Sequence, residues 1–168
     1  MKSLIRIIRQ DFSANPQNPK AIFICFMFRW AHSWRGTREK PRKSSLPLLV
    51  LYRLIVEWIL GVEIPAKTAI GPGLQIFHGQ GVVVNGDAII GKNAILRNGV
   101  TIGHKTPGGG SPKVGDNVSF GANSVLIGEV TLGNNVIIGA LSLVNKSFGS
   151  NLTIAGNPAV EIGKLNPV

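Results

Sequence analysis

The sequence predicts a mainly β chain: a parallel β-helix of six-residue repeats, preceded by a short α-helical segment. Three observations lead there. Aliphatic residues recur every six positions beyond residue 60, and 20 of the 21 glycines lie in that same stretch. The first 60 residues instead carry apolar runs of helix length, separated by proline and basic polar linkers. A period of six matches neither a 3.6-residue helix nor an array of longer hairpin strands. It matches a solenoid in which each hexad makes one short strand and one corner.

Composition narrows the class further. The 168 residues are about one domain's worth of chain, and 44% hydrophobic with 15% charged residues excludes a disordered tail or a coiled coil. Glycine without a G-X-Y period excludes collagen. The single cysteine, Cys25, cannot form an internal disulfide and suits a reducing compartment, so a cytoplasmic location is expected. Eighteen Lys+Arg against 8 Asp+Glu give a net charge of +10, of which residues 1–60 carry +8. Such a segment attracts phosphates, anionic lipid head groups, nucleic acid or acidic glycans. The charge is not interleaved with aromatics on a recognisable nucleic-acid fold, which argues against a nucleic-acid partner.

In chain order, helices are expected over about 3–12, 19–35 and 46–60, with Pro19 and Pro47 near first turns, where proline is tolerated. The longest apolar run, AIFICFMF at 21–28, is too short to span a membrane and closes on Arg29. Arg6 and Arg9 interrupt the start of the chain, which does not read as a signal peptide. RGTREKPRKSS at 35–45 is a basic linker. In the third helix Arg53 can pair with Glu57 one turn on, and its apolar surface should lie against protein or a membrane. The chain therefore divides into a helical segment, 1–60, and a solenoid, 61–168, with an excursion loop at 104–113 and a C-terminal tail.

The inward series of the solenoid runs Ile64, Ile70, Ile76, Val84, Ile90, Leu96 and Ile102, then Val114, Phe120, Leu126, Leu132, Ile138 and Val144. A small or branched residue stands four places after most of them, and glycine, asparagine and aspartate supply the corners. The repeat breaks twice. The step from Ile76 to Val84 is eight instead of six, and HKTPGGGSPK separates Ile102 from Val114. Insertions in a solenoid loop out from one face, often the binding face, and each break carries a histidine, His78 and His104.

Several stretches carry a family resemblance: RWAHSW at 29–34, PLLVLYR at 47–53, EIPAKTAIGPGLQIFHG at 63–79, GVTIG at 99–103, SPKVGDNV at 111–118 and AGNPA at 155–159. Over roughly residues 20–165 the chain resembles the serine O-acetyltransferase-like branch of hexapeptide-repeat acyltransferases. Within that branch it looks most like the exopolysaccharide acetyltransferases of the colanic acid type. The resemblance implies a left-handed parallel β-helix, a homotrimer, acetyl-coenzyme A as donor and a hydroxyl acceptor on a polysaccharide, oligosaccharide or lipid-linked repeat unit.

It also implies roles. His78, in IFHG, falls at the catalytic histidine, and imidazole can take and return a proton near neutrality. Glu63, fifteen residues earlier, falls at that histidine's acidic partner, a position more often aspartate, and would orient the ring. Gly103 is a candidate backbone donor to the oxyanion. His104 could contact acceptor or donor, or simply sit in the loop. Phe77 replaces the aspartate that holds serine's ammonium group, and Ser111, before Pro112-Lys113, replaces a second active-site histidine. An aromatic ring and a hydroxyl suit a sugar better than a small zwitterion. Gly121-Ala122 and Gly139-Ala140 match coenzyme A contacts, and Lys105, Lys113 and Lys146 could meet its phosphates or be solvated surface charges. Zinc-dependent members of the fold need three histidines, and the solenoid has two, so no metal site is expected. His32 reads as a packing or capping residue.

Two other readings remain open on sequence: acetylation of serine or another small acceptor, and a catalytically silent scaffold. The basic helices could hold the enzyme peripherally at the inner face of the cytoplasmic membrane, pack between trimers or cap the solenoid.

Overall fold

A computed structural model describes residues 2–37 and 40–165. The hexads fold as expected, each into a strand of two or three residues followed by a corner, and the chain winds into a three-sided parallel solenoid. One side holds β1 (Val62–Glu63), β4 (Val82–Val84), β7 (Thr101–Gly103), β10 (Val125–Ile127) and β13 (Leu143–Val144). The second holds β2 (Ala69–Ile70), β5 (Ile89–Ile90), β8 (Lys113–Val114) and β11 (Thr131–Leu132). The third holds β3 (Gln75–Phe77), β6 (Ile95–Arg97), β9 (Ser119–Phe120), β12 (Val136–Ile138) and β14 (Leu152–Gly156). All thirteen inward aliphatic and aromatic positions are buried, none more than 8% exposed. They stack into one continuous core, so each coil removes apolar surface from water only by packing on its neighbours.

The corners explain the asparagines. Asn93, Asn117, Asn135 and Asn151 have φ between 55° and 62°, the left-handed region that asparagine tolerates. Their side chains also form a ladder across coils: each Nδ2 donates to the next Oδ1, at 2.8–2.9 Å, from Asn93 through Asn117 and Asn135 to Asn151.

Helices α1 (Lys2–Ala14) and α2 (Pro19–Trp34) fall close to expectation, and Asn18 caps α2 by accepting from the Ala21 N–H at 3.0 Å. The third helix differs. A 3₁₀ turn over Lys43–Ser45 leads into α3 (Leu46–Tyr52), which widens into π-helical turns over Arg53–Ile59. Its inward residues, Tyr52, Val56 and the partly buried Leu60, are spaced by four, and a wider turn keeps that spacing on one face. The Arg53–Glu57 pair forms at 2.9 Å, and it holds the guanidinium pKa above its ordinary value.

The helices close one end of the solenoid through side chains. The Asp11 carboxylate, buried, accepts from the Gly73 and Leu74 N–H groups and pairs with Arg29 at 2.7 Å. Arg29 also donates to the Ile70 and Gly71 carbonyls, both at 2.6 Å. Asn15 donates to the Leu74 carbonyl and accepts from the Ile76 N–H, and Asn18 donates to the Ile76 carbonyl. Tyr52 donates to the Ile64 carbonyl at 2.6 Å. Together α1 and α2 give the open edge of β3 the partners that a preceding coil would have supplied.

The other end is closed by backbone. The expected tail turns at the Asn157–Pro158 peptide, which is cis, and returns as β15 (Ala159–Lys164), antiparallel to β14.

Candidate active site

The two breaks in the repeat appear as two longer coils. Val82 pairs with Val62, 20 positions earlier, and Val125 pairs with Thr101, 24 positions earlier, whereas Thr101 pairs with Val83 at the regular 18. His78 stands at the corner between β3 and β4, at the end of the first coil. Fifteen residues separate Glu63 from His78, fewer than the 20 that this coil spans. Both therefore lie in one coil, with Glu63 on β1 beside β4 and His78 five positions before Glu63's partner Val83.

The backbone at His78 is strained. Its φ is 64°, and the Gly79 N–H donates to the Phe77 carbonyl at 2.8 Å, closing a γ-turn centred on the histidine. A second such turn follows, from the Gln80 N–H to the His78 carbonyl at 2.9 Å. Strain of this kind persists only where surrounding structure imposes it. Here Asn15 and Asn18 fix Ile76 just upstream, and the Lys20 ammonium donates to the His78 carbonyl at 3.3 Å. The imidazole itself is exposed and makes no hydrogen bond among the described residues. Glu63 is also exposed, and the chain places no hydrogen bond between the two side chains.

Phe77, 38% exposed, lies beside His78, and the Arg97 guanidinium sits 5.4 Å from its ring centroid. Arg97 is held from below by Ser119 Oγ and the Phe120 carbonyl, both at 3.1 Å. Sequence reasoning found Phe77 but missed Arg97, whose only signal is its register opposite Phe77.

The second histidine belongs to a different corner. His104 follows β7, and its Nε2 lies 2.7 Å from Ser111 Oγ, which is 3.3 Å from Asn85 Oδ1. The excursion loop thus closes on itself through a histidine and a serine seven residues apart. Asn85 was not a sequence candidate. Gly103, just before His104, has room: a Cβ there would meet nothing within 4 Å.

Lys105 and Lys113 are exposed, and Lys146 lies 5.4 Å from the Phe148 ring centroid. Gly121 and Gly139 stand directly after β9 and β12 in the third sheet, each followed by its alanine, Ala122 and Ala140. His32 is a packing residue, its Nδ1–H donating to the Ala66 carbonyl at 2.8 Å. Cys25 is buried, and burial, followed by the nearby Asp11 carboxylate, pushes its thiol pKa up to about 12, so it is unreactive at neutral pH. A groove of about 720 Å³ beside α1 is lined by Arg6, Arg9, Gly73 and Asn93 and lies apart from both histidines. No described helix is long and apolar enough to cross a membrane.

The family model "Bacterial transferase hexapeptide (six repeats)" matches residues 111–146. The putative colanic acid biosynthesis acetyltransferase WcaB of Escherichia coli is 38% identical over 154 residues, covering 89% of this chain and 95% of its own. The serine acetyltransferase of Synechococcus elongatus is 38% identical over 164 residues, covering 94% of this chain and 66% of its own. Among solved structures, soybean serine acetyltransferase superposes with a TM-score of 0.83 at 29% identity, covering 96% of this chain and 70% of that one. The Brucella abortus enzyme superposes at 0.81 and 26%, covering 98% and 70%. With a parallel hexapeptide solenoid and relatives of this kind along nearly its full length, the chain belongs to the hexapeptide-repeat acetyltransferases, the family that includes WcaB and the serine acetyltransferases.

Proposed function

We propose that the protein transfers acetyl from acetyl-coenzyme A to a sugar hydroxyl of an exopolysaccharide, capsule or lipid-linked repeat unit, with His78 as general base. The observation that carries this reading is the exposed imidazole of His78, held on a strained γ-turn with its ring nitrogens unengaged among the described residues. Imidazole takes the acceptor hydroxyl's proton as that oxygen bonds to the thioester carbonyl carbon. The tetrahedral intermediate then collapses, the C–S bond breaks, and the proton goes to the leaving thiolate, giving an acetyl ester and free coenzyme A. Glu63 would orient the ring once the site is assembled, and Gly103 would offer its backbone to the oxyanion.

Phe77 and Arg97 favour a glycan: an aromatic face suits a sugar ring, and the guanidinium suits an acidic one. Gly121-Ala122 and Gly139-Ala140 would flank the pantetheine arm, with Lys105, Lys113 and Lys146 near its phosphates. A homotrimer would hide the flat solenoid faces and form the cleft that shelters the donor. The apolar surface of α2, α3 and the π-helical turns would lie at the inner face of the cytoplasmic membrane, with Trp58 (72% exposed) and Ile59 (76%) reaching into it.

Serine is the second reading, favoured by the 38% identity to a serine acetyltransferase. Thiol release by the wild-type protein, given acetyl-coenzyme A with either L-serine or the deacetylated exopolysaccharide of its host, separates the two. The glycan reading expects release with the polysaccharide and not with serine. Release with serine alone would overturn it.

A further inference from the structure

The hydrogen-bond chain at the excursion loop fixes which nitrogen carries the proton in a neutral His104. The Asp87 N–H donates to Asn85 Oδ1 at 2.7 Å, which settles the asparagine's orientation, because its amide nitrogen could not accept that proton. Ser111 Oγ faces the same Oδ1 at 3.3 Å, and two oxygens at that distance with no proton between them repel. The serine proton therefore points to Asn85. Its oxygen is left to accept from His104 Nε2 at 2.7 Å. In the neutral ring this places the only N–H on Nε2 and leaves Nδ1 as a lone-pair acceptor. In this tautomer Nδ1 carries no proton to offer an oxyanion.

A second observation lies next door. Gly103 is a glycine that neither a positive φ nor crowding requires, since an added Cβ would meet nothing within 4 Å. Space is therefore open at Gly103, the residue before His104.

We propose that His104 is an acceptor-binding residue: Nδ1 accepts a hydrogen bond from a hydroxyl of the acceptor lodged over Gly103, while Ser111 and Asn85 are positioning residues that hold the tautomer. This rests on the acetyl-transfer reading above and assigns a specificity element within it.

Two substitutions separate recognition from structure. Asparagine at this position carries a carbonyl oxygen near the place of Nδ1, and glutamine carries an amide near the place of Nε2. His104→Gln keeps a donor to Ser111 but loses the acceptor atom. It is expected to raise the KM for deacetylated host exopolysaccharide about 10-fold, the cost of one lost hydrogen bond, with the KM for acetyl-coenzyme A unchanged. His104→Asn is expected to stay within about 3-fold of wild type on the same scale. The reverse pattern, with Gln tolerated and Asn not, would make His104 a purely structural partner of Ser111. A rise in the KM for acetyl-coenzyme A alone would make it a donor contact. Either result overturns the proposal.

Long-range ¹H–¹⁵N NMR of the labelled histidines supplies a readout independent of turnover. His104 is expected as the Nε2–H tautomer in the wild type and as a mixture in Ser111→Ala. An Nδ1–H tautomer in the wild type overturns the proposal even if the protein is active. Absence of thiol release with every acceptor overturns the acetyl-transfer reading, and the His104 assignment with it, whatever the tautomer.

Discussion

The two ends of the solenoid solve one problem by different means. Both leave strand edges whose N–H and C=O groups need partners. At the C-terminal end β15 supplies them from its own backbone, and beyond the buried Ala159 its apolar side chains are exposed: Val160 is 50% exposed and Ile162 62%. At the N-terminal end the partners are individual side chains of α1, α2 and the link between them, namely Asp11, Asn15, Asn18, Lys20 and Arg29. The end closed by side chains is the end that carries His78. Backbone closure tolerates almost any sequence, whereas side-chain closure depends on each residue, and it fixes the strand that leads into the proposed base.

The comparison breaks most easily at Asp11. Asp11→Ala leaves Arg29 buried without its counter-charge and strips two N–H groups of their acceptor. We expect a loss of about 3–5 kcal/mol in urea unfolding, the usual cost of removing one partner of a buried ion pair. Asn15→Ala removes the amide donor to the Leu74 carbonyl and the acceptor for the Ile76 N–H and should cost about 2 kcal/mol. Leu141, between the two ends, has φ 60° and is 73% exposed, in a corner series with Gly61, Gly81, Gly99 and Asn123, all at positive φ. Leu141→Asn should stabilise the fold by about 1 kcal/mol, by relieving left-handed strain in a bulky side chain. At the backbone-closed end, Ile162→Ala should change stability by less than about 0.5 kcal/mol. An effect there as large as that of Asn15→Ala would erase the distinction between the ends.

Alkali tests the helical end in another way. The Cys25 thiol is raised from about 9 to about 12 by burial, and burial likewise lifts Tyr52 well above its ordinary value. The unfolded chain therefore gives up the thiol proton first. The stability tied to Cys25 is complete below pH 9 and declines as pH rises toward 12, with stability falling because the native state then binds more protons than the unfolded one. Urea midpoints should drop across that window, and Cys25→Ala should flatten the drop. An unchanged slope in that variant would contradict the assignment.

The solenoid was legible because its signal is periodic. Thirteen inward positions repeat one instruction, and the two departures from it mark both histidines. The end closures were not legible. Asp11, Asn15 and Asn18 each act once, on strand atoms about 60 residues away, and leave no pattern in a helix. The same holds for the site. His78 and Ser111 stand in motifs, but Arg97 and Asn85 matter only through the register that sets them beside Phe77 and Ser111. The tail read as a tail because nothing before Asn157 announces that β15 runs back along β14.

The most direct test of the central claim is kcat for thiol release by His78→Ala at saturating acetyl-coenzyme A and acceptor, beside its urea midpoint. The alanine occupies the same strained turn and removes only the exposed ring. The account predicts an unfolding midpoint near that of the wild type and a fall in kcat of about 100-fold or more, the usual contribution of a general base. Turnover at the wild-type rate by a folded His78→Ala protein would contradict it.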